Sequence, residues 1–373
     1  MIHTYNFPTE IHFGPGARKL LTAKLQELGI KKPLLVTDRT VAQLPFFPEI
    51  LADAPAAGTF FDFAGNPAQA HVAAGLAAYR QHDADGFIAL GGGAAIDVAK
   101  AIALLVNHPG GLFDYEDGAP DAKPIDQDLP PIVAIPTTAG TGSEVGRASV
   151  ISTDDTHQKK ILFTPKMLPR VILADPELTL GLPAAVTAAT GLDALTHLIE
   201  AYITPASENP MCDGIALEGI RLVARSLRRA VRAPEDIAAR GDMLNAAMMG
   251  AVAFQKGLGA VHSCAHALST VCDMHHGLAC GIMLPHVMAY NRPAIEDKLA
   301  VMAQTVGTAD FIAWIKALNA DIGIPGRLAA AGVERRHLDD LVETAFADVC
   351  HPLNPRPVTE QDFRELFQGA LKP

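Results

Sequence analysis

Short apolar runs closed by turn residues alternate with helix-period segments through the first half of the chain. The runs are Pro33-Leu34-Leu35-Val36-Thr37, Gly86-Phe87-Ile88-Ala89-Leu90, Ile132-Val133-Ala134-Ile135 and Val171-Ile172-Leu173-Ala174. Helical spacing lies between them, as in Ala17 to Leu28 and Gln69 to Arg80. That alternation predicts a parallel sheet with crossover helices. From Asn107 to Pro131 the chain is rich in Pro, Gly and Asp, and a long surface excursion is expected. Beyond about Leu182 only alanine-rich helical periodicity remains, in Ala184 to Tyr202, Pro210 to Val231, Ile237 to Ala253, Ala260 to Val271 and Ile295 to Val306. The pattern predicts an α/β domain with a parallel sheet over residues 1–181 and an all-helical domain over 182–373. No internal repeat and no sustained heptad interrupts it.

Composition narrows the class. The 373 residues, 49% hydrophobic and 19% charged, can bury a core in about two domains, which excludes a largely disordered chain. Acidic residues outnumber basic ones by 41 to 30, leaving a formal charge of -11 with no compensating basic stripe. Nucleic acid and anionic membranes are therefore not expected as partners. The opening Met1-Ile2-His3-Thr4-Tyr5 lacks the regions of a signal peptide, and no apolar run has the length and character of a membrane span, so a cytoplasmic protein is expected. Cys212, Cys264, Cys272, Cys280 and Cys350 are odd in number and contain no CxxC pair, which points to buried free thiols.

Candidate chemistry falls in three places. The strand ending at Leu90 runs into Gly91-Gly92-Gly93-Ala94-Ala95-Ile96-Asp97-Val98-Ala99-Lys100, where glycines allow a tight turn and a helix N-terminus faces a phosphate. This is not GxGxxG, and a plain tight turn is the alternative. Pro136-Thr137-Thr138-Ala139-Gly140-Thr141-Gly142-Ser143-Glu144 adds a hydroxyl-rich loop suited to phosphate or ribose, or to capping a helix. Asp38, directly after a strand, can accept from a ribose diol or cap a helix. In the helical half, Asp193 and His197 share one helix face, and His262 and His266 repeat the spacing before His275-His276-Gly277 at a helix end. Carboxylate and imidazoles in this number suit a divalent metal such as zinc or iron, while each histidine alone is as readily a satisfied core or surface group.

These motifs, together with Asp175-Pro176-Glu177-Leu178, Gly191 to Tyr202 and Gly259 to His286, resemble the iron-containing (group III) alcohol dehydrogenases over essentially the whole chain. The resemblance implies a nucleotide-binding α/β domain, a helical domain of dehydroquinate synthase-like architecture and an active site in the cleft between them. It assigns the metal ligands to Asp193, His197, His262 and His276. His266 becomes a non-ligand near the nicotinamide, either a proton relay or a pocket-shaping group, and His275 a bystander. For NAD it implies Asp38 at the adenosine ribose and Gly92, Gly93, Ala94, Ala95, Ile96 and Asp97 at the pyrophosphate. Thr137, Thr138 and Thr141 fall beside the phosphates and nicotinamide ribose, with Lys160 and Leu178 nearby. Ala94 replaces a serine frequent in the family, and an acidic Asp38 favours NAD over NADP.

The implied reaction is hydride transfer between NAD(H) and a small primary alcohol or aldehyde, with Fe(II), Zn or another divalent ion as Lewis acid. Phe254 and Cys350 are the apolar candidates for the substrate pocket, and Ala148 stands where some relatives carry asparagine. Arg147 and Lys256 are cations that can hold the carboxylate of a short hydroxyacid or semialdehyde such as 4-hydroxybutyrate, or else face solvent or cofactor phosphate. Glycerol dehydrogenase-like or dehydroquinate synthase-like metalloenzymes share the broad architecture, but Gly259 to His286 and the Asp193/His197 pair favour the iron-containing branch. A non-catalytic nucleotide-binding protein would have no use for four ligands. A homodimer or larger homo-oligomer is expected from the resemblance.

Overall fold

A computed structural model describes residues 4–372. Its strands are β1 (Glu10–Phe13), β2 (Pro33–Val36), β3 (Gly58–Phe60), β4 (Gly86–Gly91), β5 (Ile132–Pro136), β6 (Ala148–Ser152), β7 (Lys159–Phe163) and β8 (Val171–Ala174). Six of them form one parallel sheet in the order β1-β8-β5-β4-β2-β3. The four apolar runs supply its four inner strands. The helices of this half are α1 (Leu21–Glu27), α2 (Phe47–Asp53), α3 (Gln69–His82) and α4 (Gly93–Asn107).

Alternate residues of each inner strand enter opposite cores. Leu34, Val36, Phe87 and Ala89 pack with α3 and α4, whereas Leu35, Ile88, Leu90, Val133 and Leu173 pack with α1 and α2. Burial on both faces explains why these strands carry no polar alternation. The edge strand β1 is mixed, EIHF, and β3 has only three residues, so neither carries a periodic signal. An antiparallel hairpin of β6 and β7 stands outside the main sheet. The excursion after Asn107 is ordered by a 3-10 turn at Leu112–Tyr115 and a bridge from Glu116 to Leu162.

Two units divide the contacts. The sheet unit comprises Pro8–Thr138 and Gly142–Thr179; the helical unit comprises a short N-terminal stretch ending at Phe7, Ala139–Thr141 and the chain from Leu180 onward. The helical unit contains α5 (Ala184–Ile203), α6 (Pro210–Arg232), α7 (Ile237–Ala253), α8 (Ala260–Cys272), α9 (His276–Val306), α10 (Phe311–Asp321), α11 (Leu338–Phe346) and α12 (Glu360–Leu371). Helix α5 is buried over nearly all of its length and packs against α6, α7 and α9. Asn209 and Asp236 cap α6 and α7 by accepting from Cys212 and Ala239 N–H groups. Helix α9 begins at His276, well before the expected Ile295. Gly277, Gly281, Pro285 and Pro293 mask its periodicity, and the chain leaves helical geometry at Ile295 (φ -134°, ψ 22°). Among the described residues no helix is long and apolar enough to cross a membrane.

Candidate functional site

The buried face of α5 carries three ionisable residues at helical steps: Asp193, His197 and Glu200. Helix α8 contributes His262 and His266, while α9 contributes His276 in its first turn and Cys280 one turn later. Gly277 permits the approach of α9 to α5, because a Cβ there would lie 2.2 Å from the Ala189 carbonyl oxygen. The Nε2 atoms of His197, His262 and His276 lie 3.7, 3.9 and 3.4 Å from Asp193 Oδ1. Donors around an ion with bonds of about 2.1 Å are roughly 3.0–3.4 Å apart. Donor atoms of Asp193, His262 and His276 lie within 4.8 Å of one another, a group that does not include His197, so one shared ion requires the cluster to contract and His197 to move in.

The electrostatics fit the same use. Burial pulls His197 down to about 4 against the opposing charge of Asp193, so its ring is neutral, the form that ligates a metal. Burial also disfavours charge on His262, but the hydrogen bond and charge of Glu200 outweigh it and raise its pKa. His262 Nδ1 stands 2.6 Å from Glu200 Oε2, which makes Nδ1 the protonated nitrogen and turns the Nε2 lone pair toward Asp193. That Nε2 is buried and has no hydrogen-bond partner among the described residues. An orphaned lone pair facing a carboxylate and two further imidazoles is what a bound divalent ion would satisfy, and the oxygen/nitrogen donor set suits iron or zinc. Glu200 also accepts from the N–H groups of Gly259 and Val261, at 2.9 and 2.7 Å, so the carboxylate that orients His262 holds the start of α8 as well.

His266 is held differently. Its Nδ1 lies 2.7 Å from Asp348 Oδ2, and Asp348 Oδ1 accepts from Ser263 Oγ and Cys350 N. Burial would raise the Asp348 carboxyl, but the His266 charge and these hydrogen bonds hold it well below the usual range. The His266 ring stacks on His276 at 5.2 Å, and Phe254 lies 5.1 Å from the His197 ring. Cys350 is buried beside Asp348. His275 is an exposed residue preceding α9. Lys256 departs from its expected role as a free cation: it is buried with its ammonium paired to Asp213, a partner 43 residues away in sequence.

In the sheet unit, the next strand after β2 lies to one side of it as β3, and the one after that to the other side as β4. The carboxyl ends of β2 and β4 thus flank a topological switch point, where open α/β sheets bind ligands. Asp38 follows β2 and Gly91-Gly92-Gly93 follows β4. Gly91 has φ 144°, and a Cβ on it would lie 2.8 Å from Ala95 Cβ and 3.7 Å from Asp38 Oδ2. A Cβ at Gly92 would meet Thr138 Oγ1 at 3.1 Å. These residues form a cradle that a side chain would fill, followed by the N-terminus of α4.

Side chains around the cradle are largely engaged. Asp38 Oδ1 caps the next turn through Thr40 and Val41 N–H groups, while Ala95, Ile96, Thr137 and Leu178 are buried. Gly92, Gly93, Ala94 and Thr138 keep some exposure. Asp97 accepts from Ser143 Oγ and Val150 N, and Lys160 is paired with Glu116. Neither side chain is directed at a ligand alone. Lys100 Nζ, buried and pulled down to about 8 by desolvation, donates to Ser143 O, Ser143 Oγ, Gly146 O and Ala148 O. It ties α4 to the segment bearing Arg147 and Ala148. Arg147 lies over the Phe163 ring at 5.4 Å.

Glu200, Asp348, Cys280 and Lys100 are the site residues that sequence reasoning missed. Glu200 and Cys280 had a signal, each falling one helical turn from a proposed ligand; Asp348 had none.

The chain belongs to the iron-containing alcohol dehydrogenase family, whose description matches residues 8–176 and, for its C-terminal region, residues 187–371. It is 37% identical to a 4-hydroxybutyrate dehydrogenase of Cupriavidus necator, covering 97% of this chain and 98% of that protein. It is 38% identical to a 1,3-propanediol dehydrogenase of Klebsiella pneumoniae, covering 98% of each. The solved structure of a 1,3-propanediol oxidoreductase superposes with a TM-score of 0.95 at 37% identity, over 100% of both chains. The protein is an enzyme of NAD(H)-linked oxidoreduction between a small alcohol and its aldehyde.

Proposed function

We propose that Asp193, His197, His262 and His276 hold one divalent ion, Fe(II) or alternatively Zn, and that the sheet unit takes NAD in preference to NADP. The observation that carries this reading is the convergence of three imidazole Nε2 atoms on one Asp193 oxygen, with the His262 Nε2 buried and unpartnered. A bound ion would supply Lewis acidity to an alcohol or carbonyl oxygen, and a bound nicotinamide would supply the hydride donor or acceptor. Glu200 keeps the His262 proton on Nδ1. Asp348 does the same for His266, leaving its Nε2 to exchange a proton with the substrate side or with water. The Gly91-Gly92-Gly93 turn and the α4 N-terminus would receive the pyrophosphate through backbone N–H groups, beside Thr137 and Thr138. Asp38 accepts from the ribose diol and repels a 2'-phosphate.

The substrate is a short primary alcohol or its aldehyde, with Phe254 and Cys350 as apolar lining. A short hydroxyacid such as 4-hydroxybutyrate is the second reading, favoured by Arg147, which has no carboxylate partner among the described residues. The similarity to a 4-hydroxybutyrate dehydrogenase supports it. The exposed Phe13 on edge strand β1 is consistent with a working homodimer, and five unbridged cysteines with a cytoplasmic location. The test is a rate panel after anaerobic Fe(II) loading, with 1,3-propanediol and 4-hydroxybutyrate, each with NAD and NADP. Metal-dependent NADH formation with a clear preference for NAD is expected; turnover independent of metal rejects the ligand assignment. If Arg147 anchors a carboxylate, Arg147→Ala raises KM for 4-hydroxybutyrate alone by about tenfold, and an unchanged KM removes the anion pocket.

A further inference from the structure

Cys280 follows His276 by one helical turn on α9, so the two side chains share a face. The thiol is buried, and its Sγ lies 3.8 Å from Asp193 Oδ1 and 3.8 Å from His276 Nε2. Donor atoms of Asp193, His262, His276 and Cys280 all fall within 4.8 Å of one another. A thiolate about 2.3 Å from an ion and an oxygen or nitrogen donor about 2.1 Å from it are separated by roughly 3.1 Å at a right angle and roughly 3.6 Å at the tetrahedral angle. The sulfur therefore stands at the distance of a donor. A second feature is independent of the thiol: His262, 1% exposed, aims an unpartnered Nε2 into the same cluster.

We propose that Cys280 is an additional, soft donor of this metal centre and makes it prefer thiophilic ions. The assignment rests on the metal-centre reading above and extends it from three imidazoles and a carboxylate to a set that includes sulfur. On binding, the S–H bond breaks, its proton passes to water, and the sulfur lone pair forms the bond to the ion; no electron is transferred. Hard oxygen donors discriminate weakly against Mn(II), whereas thiolate selects zinc-like and cadmium-like ions. Cys280 thus shifts this chain toward Zn over Fe(II) when both are available.

Cobalt substitution of the full-length, metal-stripped protein tests this directly. Under anaerobic conditions the parent is expected to bind one Co(II), with visible d–d bands and an intense near-ultraviolet sulfur-to-cobalt charge-transfer band. Cys280→Ser and Cys280→Ala should keep the d–d bands and lose the charge-transfer band, while Cys212→Ser keeps both. In competition, the preference for Cd(II) over Mn(II) should fall about tenfold or more in both Cys280 variants. Either variant suffices if the other fails to fold. Bound Co(II) without the charge-transfer band in the parent, or a band that survives in a folded Cys280 variant, overturns the role of Cys280 and leaves the four-ligand reading intact. Failure of the parent to bind Co(II) overturns both.

Discussion

The helical unit and the sheet unit meet their polar side chains in opposite ways. In the helical unit, donors from α5, α8 and α9 converge on one Asp193 oxygen, and the His262 lone pair has no hydrogen-bond partner among the described residues. In the sheet unit, the carboxylate of Asp97 and the ammonium groups of Lys100 and Lys160 are engaged by protein groups. What the cradle offers there is glycine backbone and the start of α4. Side-chain chemistry is thus concentrated on helices, while in the proposed reading nucleotide recognition would depend on backbone that side chains hold in place.

The contrast predicts different failures in the two units. The largest effect belongs to His262→Ala, which should lower turnover by about 10³-fold or more. Metal analysis should show the ion lost, with NAD binding by fluorescence retained. Glu200→Gln keeps the ligand but weakens its orientation; metal affinity, read by chelator competition, should fall by about 10–100-fold. Unchanged affinity would mean that Glu200 serves only to hold α8. In the sheet unit, Gly91→Ala forces a residue with a Cβ to φ 144° against Ala95 and should raise KM for NAD by about tenfold. Its metal content should match the parent, and a parallel loss of metal would break the separation drawn between the units.

The smallest effect concerns Glu144, whose burial pushes its carboxyl up to about 7 and whose Oε1 has no hydrogen-bond partner among the described residues. Between its ordinary value near 4.5 and about 7, the native state keeps a proton that the unfolded chain has released, so stability falls as pH rises through that window. Glu144→Gln removes the penalty. The variant's melting temperature should gain roughly 2–5 °C on the parent between pH 5 and pH 8; a constant difference would contradict the assignment.

Legibility in the sequence follows the same physics. The four inner strands were readable because burial on both faces leaves uninterrupted apolar runs, whereas β1, β3 and the β6–β7 hairpin lie at an edge, are very short or mix polar residues. Helix α9 hid its first half behind two glycines and two prolines. Helical spacing made Asp193, His197, His262 and His266 visible as candidates, while only the family resemblance chose His276 over His275 and set His266 apart from the ligands. Asp348 was invisible because it reaches His266 across 82 residues of chain, and Lys256 looked free because Asp213 lies on another helix. Cys280 passed for a core residue although its place one helical turn after His276 was a signal, because a cysteine in an apolar helix is more often packed than ligating.

The most direct test of the four-ligand centre is metal titration of the stripped enzyme, with bound ion and NADH formation measured on the same samples. Activity should rise in proportion to occupancy and saturate at one divalent ion per chain, and His276→Ala should neither bind the ion nor recover turnover. Full activity in the stripped enzyme, or in His276→Ala without bound metal, would contradict it.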